Sequence, residues 1–154
     1  IYEQEGAPEK ALNFYRRALV LGNGSSETHL RVAGVLKELK KPVEAMNHFR
    51  QAISLDPDNA NAHYGLAQLL LAEGSVVEAT DLLNTFSKLK EYEGRLVPLR
   101  RAVEMAPRDP QAAYDLAMLH MEYGRMQKGL DIIQQILKLH PNFTKAKERI
   151  EANP

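Results

Sequence analysis

Apolar side chains recur along this 154-residue chain at intervals of three and four, the spacing of one face of an α-helix. Two such runs lie near the middle of the chain and two near its end. The runs are Leu66, Ala67, Leu69 and Leu70; Ala79, Leu82, Leu83 and Phe86; Leu116, Ala117 and His120; and Ile132, Ile133, Ile136 and Leu137. No stretch of strand length alternates β-branched and polar residues, so the pattern predicts helices and no sheet.

Short turns separate these helical runs. Gly, Pro, Asn, Asp and Ser cluster at residues 23–26, 56–59 and 107–110, and Pro110 stands where the next helix would begin. Each run has about 12–15 residues, which is marginal for an isolated helix in water. Neighbouring runs must therefore pack together in pairs, and the pairs must pack on each other.

The turns also mark a repeat. Prolines close three of the apolar runs, at Pro57, Pro107 and Pro141. From Pro107 to Pro141 is about 34 residues, and from Pro57 to Pro107 is that length plus roughly sixteen. A period in this range indicates stacked supersecondary units, which form extended binding surfaces.

The repeats carry similar residues at matching positions: small residues in both helices, a turn residue after the first helix, and large apolar residues between pairs. The positions are Tyr2, Gly6, Ala11, Tyr15 and Ala18; Val32, Ala33, Leu36, Lys40, Ala45, Phe49, Ala52 and Pro57; Leu66, Ala67, Leu70, Gly74, Ala79, Leu83 and Phe86; and Leu116, Ala117, His120, Gly124, Gly129, Ile133, Ile136 and Pro141. This pattern resembles the tetratricopeptide repeat family over almost the whole chain. Departures from it are His29, His63 and Ala113 in place of an early aromatic residue, Lys40 in place of the turn glycine, and His120 in place of an aromatic residue.

The resemblance implies an all-α fold, a right-handed superhelical α-solenoid of stacked antiparallel helix pairs with one irregular insertion in the third repeat. We expect a single array over residues 1–154. Its parts are a truncated repeat (1–23), two repeats (24–57 and 58–91), an extra helical segment (92–107), a repeat (108–141) and a capping helix (142–154).

Local geometry follows from the same positions. Gly6, Gly74 and Gly124 are expected to leave the first helix of each pair through a turn with positive φ. Small residues should let paired helices approach closely. The apolar stripe of the capping helix should be Phe143, Ala146 and Ile150, and we expect the native C-terminus at or near Pro154.

The insertion, between residues 86 and 102, allows two interpretations. In one, apolar residues spaced by seven continue a single long helix. In the other, which we favour, Glu93-Gly94 breaks the helix and a new one starts near Leu96, so that Pro98 falls in its first turn.

Basic residues outnumber acidic ones in this insertion. They form a solvated face in the simpler interpretation and a docking site for an acidic partner in the alternative.

The sequence contains none of the residue patterns that are typical of catalytic or metal-binding sites. There is no Cys, no glycine-rich phosphate loop and no His-Glu-x-x-His pattern. The histidines show no ligand spacing, and we expect His120 to be a packed, hydrogen-bonded core residue. We therefore expect no enzymatic activity, no cofactor and no metal.

Charge and hydropathy limit the kinds of partner that we expect for this chain. The 20 basic and 20 acidic residues balance, so we expect no nucleic-acid partner. No apolar run approaches the ~20 residues that cross a bilayer, so we expect no direct membrane insertion. The compartment stays open, with a soluble cytoplasmic protein favoured. The chain begins inside a helical pattern, which we interpret as a piece of a longer protein.

In tetratricopeptide arrays the first helices of the pairs line a concave groove, so the resemblance implies a partner-binding site there. Helical wheels give the same positions as faces not used for packing. The candidate partner-binding residues are Leu30, Arg31, Gly34, Lys37, Asn61, Tyr64, Gln68, Leu71, Gln111, Tyr114, Met118 and Met121. Tyr64 and Tyr114 are of a type enriched at binding hot spots, and methionines offer adaptable contact surface.

Some family members hold a peptide C-terminus with a Lys/Asn/Arg clamp, and that clamp is absent here. The corresponding places hold Leu30, Gly34, Gly65, Asn61 and Asp115. A role in binding chaperone tails is therefore disfavoured.

The expected function is a non-catalytic scaffold that holds a protein or peptide partner, as an extended or helical segment, in this groove. One alternative is a regulatory or substrate-recruiting array of a larger enzyme or membrane-anchored protein. Another is a homo-oligomeric assembly unit. Tyr2 and Tyr15 would lie at an exposed N-terminal edge that packs on further residues or drives self-association.

Overall fold

The computed structural model describes residues 7–22 and 24–152, and over this part the chain forms helices and turns with no strand. Its helices are α1 (Ala7–Val20), α2 (Ser26–Glu38), α3 (Pro42–Leu55), α4 (Ala60–Ala72), α5 (Val76–Met105), α6 (Pro110–Glu122), α7 (Met126–Leu139) and α8 (Thr144–Glu151). The predicted all-α class is confirmed. The predictions for Tyr2, Gly6 and Pro154 fall outside the described residues.

The chain divides into two compact units, Ile1–Leu89 and Lys90–Pro154. In the first unit α2 packs against α1 and α3, and α3 packs against α4. In the second unit α6 packs against α7, and α7 against α8. Each unit thus consists of helices packed in series along the chain, which is the arrangement that the repeat pattern predicts.

One type of turn ends the first helix of each pair. After α4, the backbone N–H of Gly74 donates to the carbonyl of Leu71 (3.1 Å) and that of Ser75 to the carbonyl of Leu70 (2.9 Å), which is a Schellman motif. Gly74 has a φ of 85° and Gly124 a φ of 75°, as predicted. Lys40 occupies the equivalent turn after α2 with a φ of 56°, where an L-residue is strained.

Small residues set how closely the paired helices approach. Ala33 of α2 and Ala45 of α3 are fully buried. Between α6 and α7, a Cβ added at Gly129 would lie only 2.8 Å from the carbonyl oxygen of Ala117. The helices therefore touch nearly backbone to backbone at these positions, which confirms the predicted role of the small residues.

The insertion forms a single helix, so the break that we favoured at Glu93-Gly94 is wrong. α5 runs through both residues and carries Pro98 in its interior. Pro98 lacks an N–H and its ring crowds the carbonyl of the residue four places earlier, which is Gly94. Contacts of Tyr92 and Arg95 with α6, on either side of Gly94, stabilise the helix at this weak point.

The last helix caps the second unit. Ala146 of α8 is fully buried, and Phe143 and Ile150 pack against the same apolar cluster. The predicted apolar stripe is therefore confirmed. No helix in the described ranges is long and apolar enough to cross a membrane.

Candidate functional site

A cleft of about 510 Å³ lies in the first unit, along α2. Residues of α1, α3 and α4 complete its lining. The cleft is lined by Ala11, Tyr15, Glu27, Leu30, Arg31, Gly34, Val35, Lys37, Glu38, Phe49, Asn61 and Gly65. Five of the twelve candidate partner-binding residues are among them, namely Leu30, Arg31, Gly34, Lys37 and Asn61.

Two glycines of the cleft have different reasons to lack a side chain. A Cβ at Gly65 would overlap the ring of Phe49, so Gly65 is needed for packing between α3 and α4. A Cβ at Gly34 would meet no atom within 4 Å. Gly34 therefore leaves helix backbone exposed to the cleft without a packing requirement, although a helix-interior glycine costs about 1 kcal/mol relative to alanine.

The charged groups of the cleft are only partly paired. Arg31 donates to Glu27 at 2.6 Å, and this hydrogen bond raises the pKa of Arg31. The ammonium group of Lys37 donates to the side-chain oxygen of Gln68 on α4 at 2.6 Å. Within the described residues, the Glu38 carboxylate and the Asn61 amide make no side-chain hydrogen bond or ion pair. These two groups remain available to a partner.

Three further candidates lie on α4, outside the lining of this cleft. Tyr64 and Leu71 are 41% and 45% exposed, which is high for large apolar residues. The Tyr64 ring stacks on Phe86 of α5 with a centroid distance of 5.0 Å. Gln68 is half-buried and holds Lys37, as described above. These residues extend the accessible face of the first unit along α4.

The four candidates of the second unit lie on α6, and α8 together with Phe143, the residue before it, contacts three of them. Lys145 donates to Gln111 at 2.6 Å, and the Phe143 ring packs edge-on against Tyr114 at 5.7 Å. Met121 is only 7% exposed, and Arg149 of α8 donates to its sulfur at 3.4 Å. The side chains of the capping helix thus occupy much of the face that the repeat register assigns to a partner.

Met118 lines a separate recess of about 460 Å³ within the second unit. The recess is bordered by Arg95, Pro98, Leu99, Asp115, Leu119 and Glu122. Arg95 donates both terminal nitrogens to Glu122, at 2.6 and 2.8 Å, and these hydrogen bonds lower the pKa of Glu122. The recess is therefore edged by a closed ion pair and by the carboxylate of Asp115, which accepts a hydrogen bond from the Gln111 amide at 2.6 Å.

Two histidines form a pair between α2 and α3, which are two of the helices that line the cleft. The Nδ1 atoms of His29 on α2 and His48 on α3 lie 3.0 Å apart. One nitrogen must carry a proton and the other must accept it, so the pair requires at least one neutral ring. Burial lowers the pKa of both residues, and the neighbouring His29 and the positive charge of Arg16 lower that of His48 further.

His120 in the second unit is packed and hydrogen-bonded, as predicted. Its Nδ1 lies 2.9 Å from the hydroxyl of Tyr92, and burial lowers its pKa. Over residues 7–22 and 24–152 there is no group of three or more His, Asp or Glu side chains placed to hold a metal ion.

The cleft lining includes seven residues that are not among the twelve candidates. Glu27, Glu38 and Gly65 hold groove positions of the repeat, and sequence reasoning missed the other four, which are Ala11, Tyr15, Val35 and Phe49. Tyr15 and Phe49 hold the same repeat position, one repeat apart, on the second helix of successive pairs. Because only first helices were assigned to the groove, Phe49 was placed in the packing set and Tyr15 at the exposed N-terminal edge. The matching position on successive second helices was the signal that could have found them.

Comparisons with known proteins identify the repeats. Tetratricopeptide repeat models match residues 36–89 and 99–142, which together make up more than half of the chain. Over 78 residues the chain is 37% identical to an F-box protein of Arabidopsis thaliana, a match that covers 51% of this chain and 21% of that protein. The chain thus spans about a fifth of the length of this curated relative.

Solved structures resemble the chain in fold. A crystal structure of MamA protein has a TM-score of 0.50 and 16% sequence identity, covering 94% of this chain and 70% of that one. YrrB, described as a TPR protein with an unusual peptide-binding site, has a TM-score of 0.49 and 17% identity, covering 97% and 69%. With the repeat matches and the helix pairs described above, the chain belongs to the tetratricopeptide repeat family.

Proposed function

We propose that this chain is a non-catalytic protein-interaction scaffold that holds a segment of a partner protein in the cleft of the first unit. Stacked helical repeats form extended concave surfaces that bind partners. The observation that carries the proposal is the cleft itself, where an open glycine lies among polar groups that have no side-chain partner in the described part of the chain. Glu38 and Asn61 are those groups.

The size and chemistry of the cleft suit a peptide. Its volume of about 510 Å³ falls within the range of natural ligand sites. Its lining combines apolar surface from Leu30, Val35 and Phe49 with hydrogen-bonding groups, which is the mixture that fixes a ligand and its orientation. The cleft of the first unit is favoured over α6 because α8 and Phe143 already contact three of the four candidates on α6.

No catalytic role and no nucleic-acid partner are proposed. The strongest perturbations of pKa lie at exposed ion pairs and packed histidines, which are structural features rather than an acid–base pair in a pocket. The 20 basic and 20 acidic residues balance, so no net positive charge favours a nucleic-acid partner.

The test is selection of random linear peptides displayed on phage against the immobilised protein, followed by affinity measurement. The disrupting variant is Arg31→Ala/Asn61→Ala, and both side chains are exposed in the cleft. The matched control is Arg50→Ala/Asn84→Ala. It removes a comparable exposed ion pair, that of Arg50 with Glu78, outside the cleft.

We expect the parent and the control to bind selected peptides equally, and the cleft variant to bind them about tenfold more weakly or worse. Equal binding by all three proteins would show that the peptides bind elsewhere. Absence of any selected peptide would contradict the proposed function.

A second candidate function is self-association through α1. Phe14, Val20 and Leu21 are 71%, 86% and 75% exposed, which is unusual for three large apolar residues on one short segment. Light scattering after gel filtration checks this directly. A monomer at high protein concentration would exclude it, and a dimer that Val20→Ser dissolves would support it.

The alternative of a recruiting array within a larger protein is favoured by one comparison. In the F-box relative, the matching segment accounts for 21% of the protein. The cleft would then supply recognition while other parts of a longer chain supply further function, and the peptide selection above tests the recognition step in both cases.

A further inference from the structure

We propose that the second unit binds an acidic side chain of a partner protein at a basic cluster formed by Arg100 of α5, Lys128 of α7 and Arg125, the residue before α7. This surface shares no residue with the cleft of the first unit, so it is independent of the function proposed above. Two observations support it: the ion pairs at equivalent positions of the first unit, and the positive charge around His120.

Ion pairs connect successive second helices in the first unit. Arg16 of α1 donates to Glu44 of α3 at 3.2 Å, and Arg50 of α3 donates to Glu78 of α5 at 3.3 Å. The two pairs are one repeat length apart, and each joins residues 28 positions apart in the chain. Glu44 also lies 3.5 Å from the ammonium group of Lys41, so two cations share this carboxylate.

The same repeat register brings two positive charges together in the second unit. Measured from the proline that closes each helix, Arg100 is equivalent to Arg50. Measured from the glycine of each turn, Lys128 is equivalent to Glu78. A lysine therefore stands where the first unit has the glutamate that pairs with the arginine. Both side chains are exposed, and in the described part of the chain neither forms an ion pair or a hydrogen bond.

The surroundings of His120 show that these charges lie close together. Arg125 stacks its guanidinium on the Tyr92 ring at 3.8 Å, and the Tyr92 hydroxyl lies 2.9 Å from Nδ1 of His120. Burial lowers the pKa of His120, and three positive charges lower it further, those of Lys128, Arg125 and Arg100. Among the described residues, no carboxylate offsets their effect on this histidine. His120 therefore lies in a region of positive potential.

Carboxylates near the basic cluster do not pair with Arg100 or Lys128. Glu104 stands one turn further along α5 and Asp131 one turn further along α7, and within the described ranges neither forms an ion pair. The Asp131 carboxylate accepts a hydrogen bond from the Gln127 amide at 2.8 Å. Two like charges at positions built for an ion pair repel each other, and a bound carboxylate would relieve that repulsion.

A glutamate or aspartate side chain of a partner protein is the group that fits this cluster. In the first unit, the equivalent positions hold one carboxylate against an arginine at 3.2 and 3.3 Å. A carboxylate of the partner takes that place and accepts charge-assisted hydrogen bonds from the guanidinium and ammonium groups. A nucleic acid is disfavoured because it carries a phosphate at every nucleotide, and Glu104 and Asp131 would repel the phosphates beside the cluster.

The experiment measures binding of a fluorescein-labelled peptide, in which glutamates alternate with alanines, to the whole chain by fluorescence anisotropy. A copy with glutamine in place of glutamate measures the binding that does not depend on charge. The protein variants are Lys128→Gln, Lys128→Glu and Arg100→Gln. Lys138→Gln is the matched control, since Lys138 is an exposed cation of the same helix outside the cluster. Circular dichroism confirms that each variant is folded.

We expect the parent to bind the glutamate peptide about tenfold more tightly than the glutamine peptide. Lys128→Gln and Arg100→Gln should each weaken binding of the glutamate peptide about three- to fivefold, and Lys138→Gln should not change it. Lys128→Glu should weaken it about tenfold or more, because the new carboxylate pairs with Arg100 as Glu78 pairs with Arg50. The same variant should have a higher thermal midpoint than Lys128→Gln, since it adds an ion pair.

A second measurement locates the bound peptide. A carboxylate at the basic cluster favours the charged form of a neighbouring imidazole. The glutamate peptide should therefore raise the pKa of His120, followed by nuclear magnetic resonance over a pH series, and the glutamine peptide should leave it unchanged. Peptide bound elsewhere on the chain would not act on this histidine.

Equal affinity for the glutamate and glutamine peptides, or parental affinity in Lys128→Glu, would overturn the proposal. A glutamate peptide that binds without raising the pKa of His120 would do the same. Oligothymidylate and phosphatidylserine vesicles are tested in parallel, and stronger dependence of either on Lys128 would assign the cluster to a nucleic acid or a membrane instead. The Arg31→Ala/Asn61→Ala variant leaves the cluster intact, so failure of the cleft and failure of the cluster are distinguishable.

Discussion

Replacing Lys40 with glycine should stabilise the first unit. Lys40 has a φ of 56°, in a region that costs an L-residue about 1–2 kcal/mol. Glycine removes that strain but gains freedom in the unfolded chain, which costs about 0.4–1 kcal/mol. The turn itself is held by backbone hydrogen bonds, with the N–H of Lys41 donating to Leu36 at 2.9 Å, so the substitution leaves it intact. The net gain in unfolding free energy is about 0.5–1 kcal/mol.

Urea unfolding followed by circular dichroism measures this gain. For a unit of this size the thermal midpoint should rise by about 2–6 °C. Lys41→Gly is the matched control because its φ of −110° is unstrained, and it should bring no gain. Gly74→Lys makes the reverse change at the equivalent turn and should destabilise. If Lys40→Gly were no more stable than the parent, or if Lys41→Gly gained equally, the strain at Lys40 would not be the cause.

Further predictions concern packing and pH. Gly129→Ala should lose about 1–3 kcal/mol in urea unfolding because its Cβ would lie 2.8 Å from the carbonyl oxygen of Ala117, while Gly94→Ala, with open space, should gain about 1 kcal/mol. A stable Gly129→Ala variant would contradict the close approach. Burial lowers the pKa of His29 and His48, so below the ordinary value of 6.5 the unfolded chain binds more protons than the folded one. Stability should be full above that pH and fall as pH drops toward the folded pKa, and His29→Gln/His48→Gln should flatten the dependence in urea unfolding at a series of pH values.

The repeat could be predicted from sequence because its signals are local. A turn with positive φ favours glycine wherever it occurs, so Gly74 and Gly124 mark the ends of α4 and α6 without knowledge of the rest of the fold. Likewise, the positions of Ala33 and Ala45 hold fully buried small residues again one repeat later, because the two helices of each pair meet in the same way.

The continuity of α5 could not be predicted in this way. Glycine and proline within a few residues lower helix propensity, and local reasoning therefore favoured a break at Gly94. What opposes that propensity is tertiary. Tyr92 is buried with its hydroxyl 2.9 Å from His120, and Arg95 forms two hydrogen bonds to Glu122. These partners are more than twenty residues away in the chain, and no local pattern shows them.

The sequence by itself therefore determined the helices other than α5, their turns and the repeat register, because these depend on residues within one or two turns of each other. Only the tertiary structure decided which groove positions stay open. Leu71 and Met121 hold the same repeat position, yet Leu71 is 45% exposed and Met121 is 7% exposed. The difference arises because Met121 packs in the apolar cluster of the second unit, next to Gly129 of α7, and has Arg149 of α8 against its sulfur. The exposure of a residue depends on what packs against it. The tertiary fold, and not the repeat pattern, determines which residue that is.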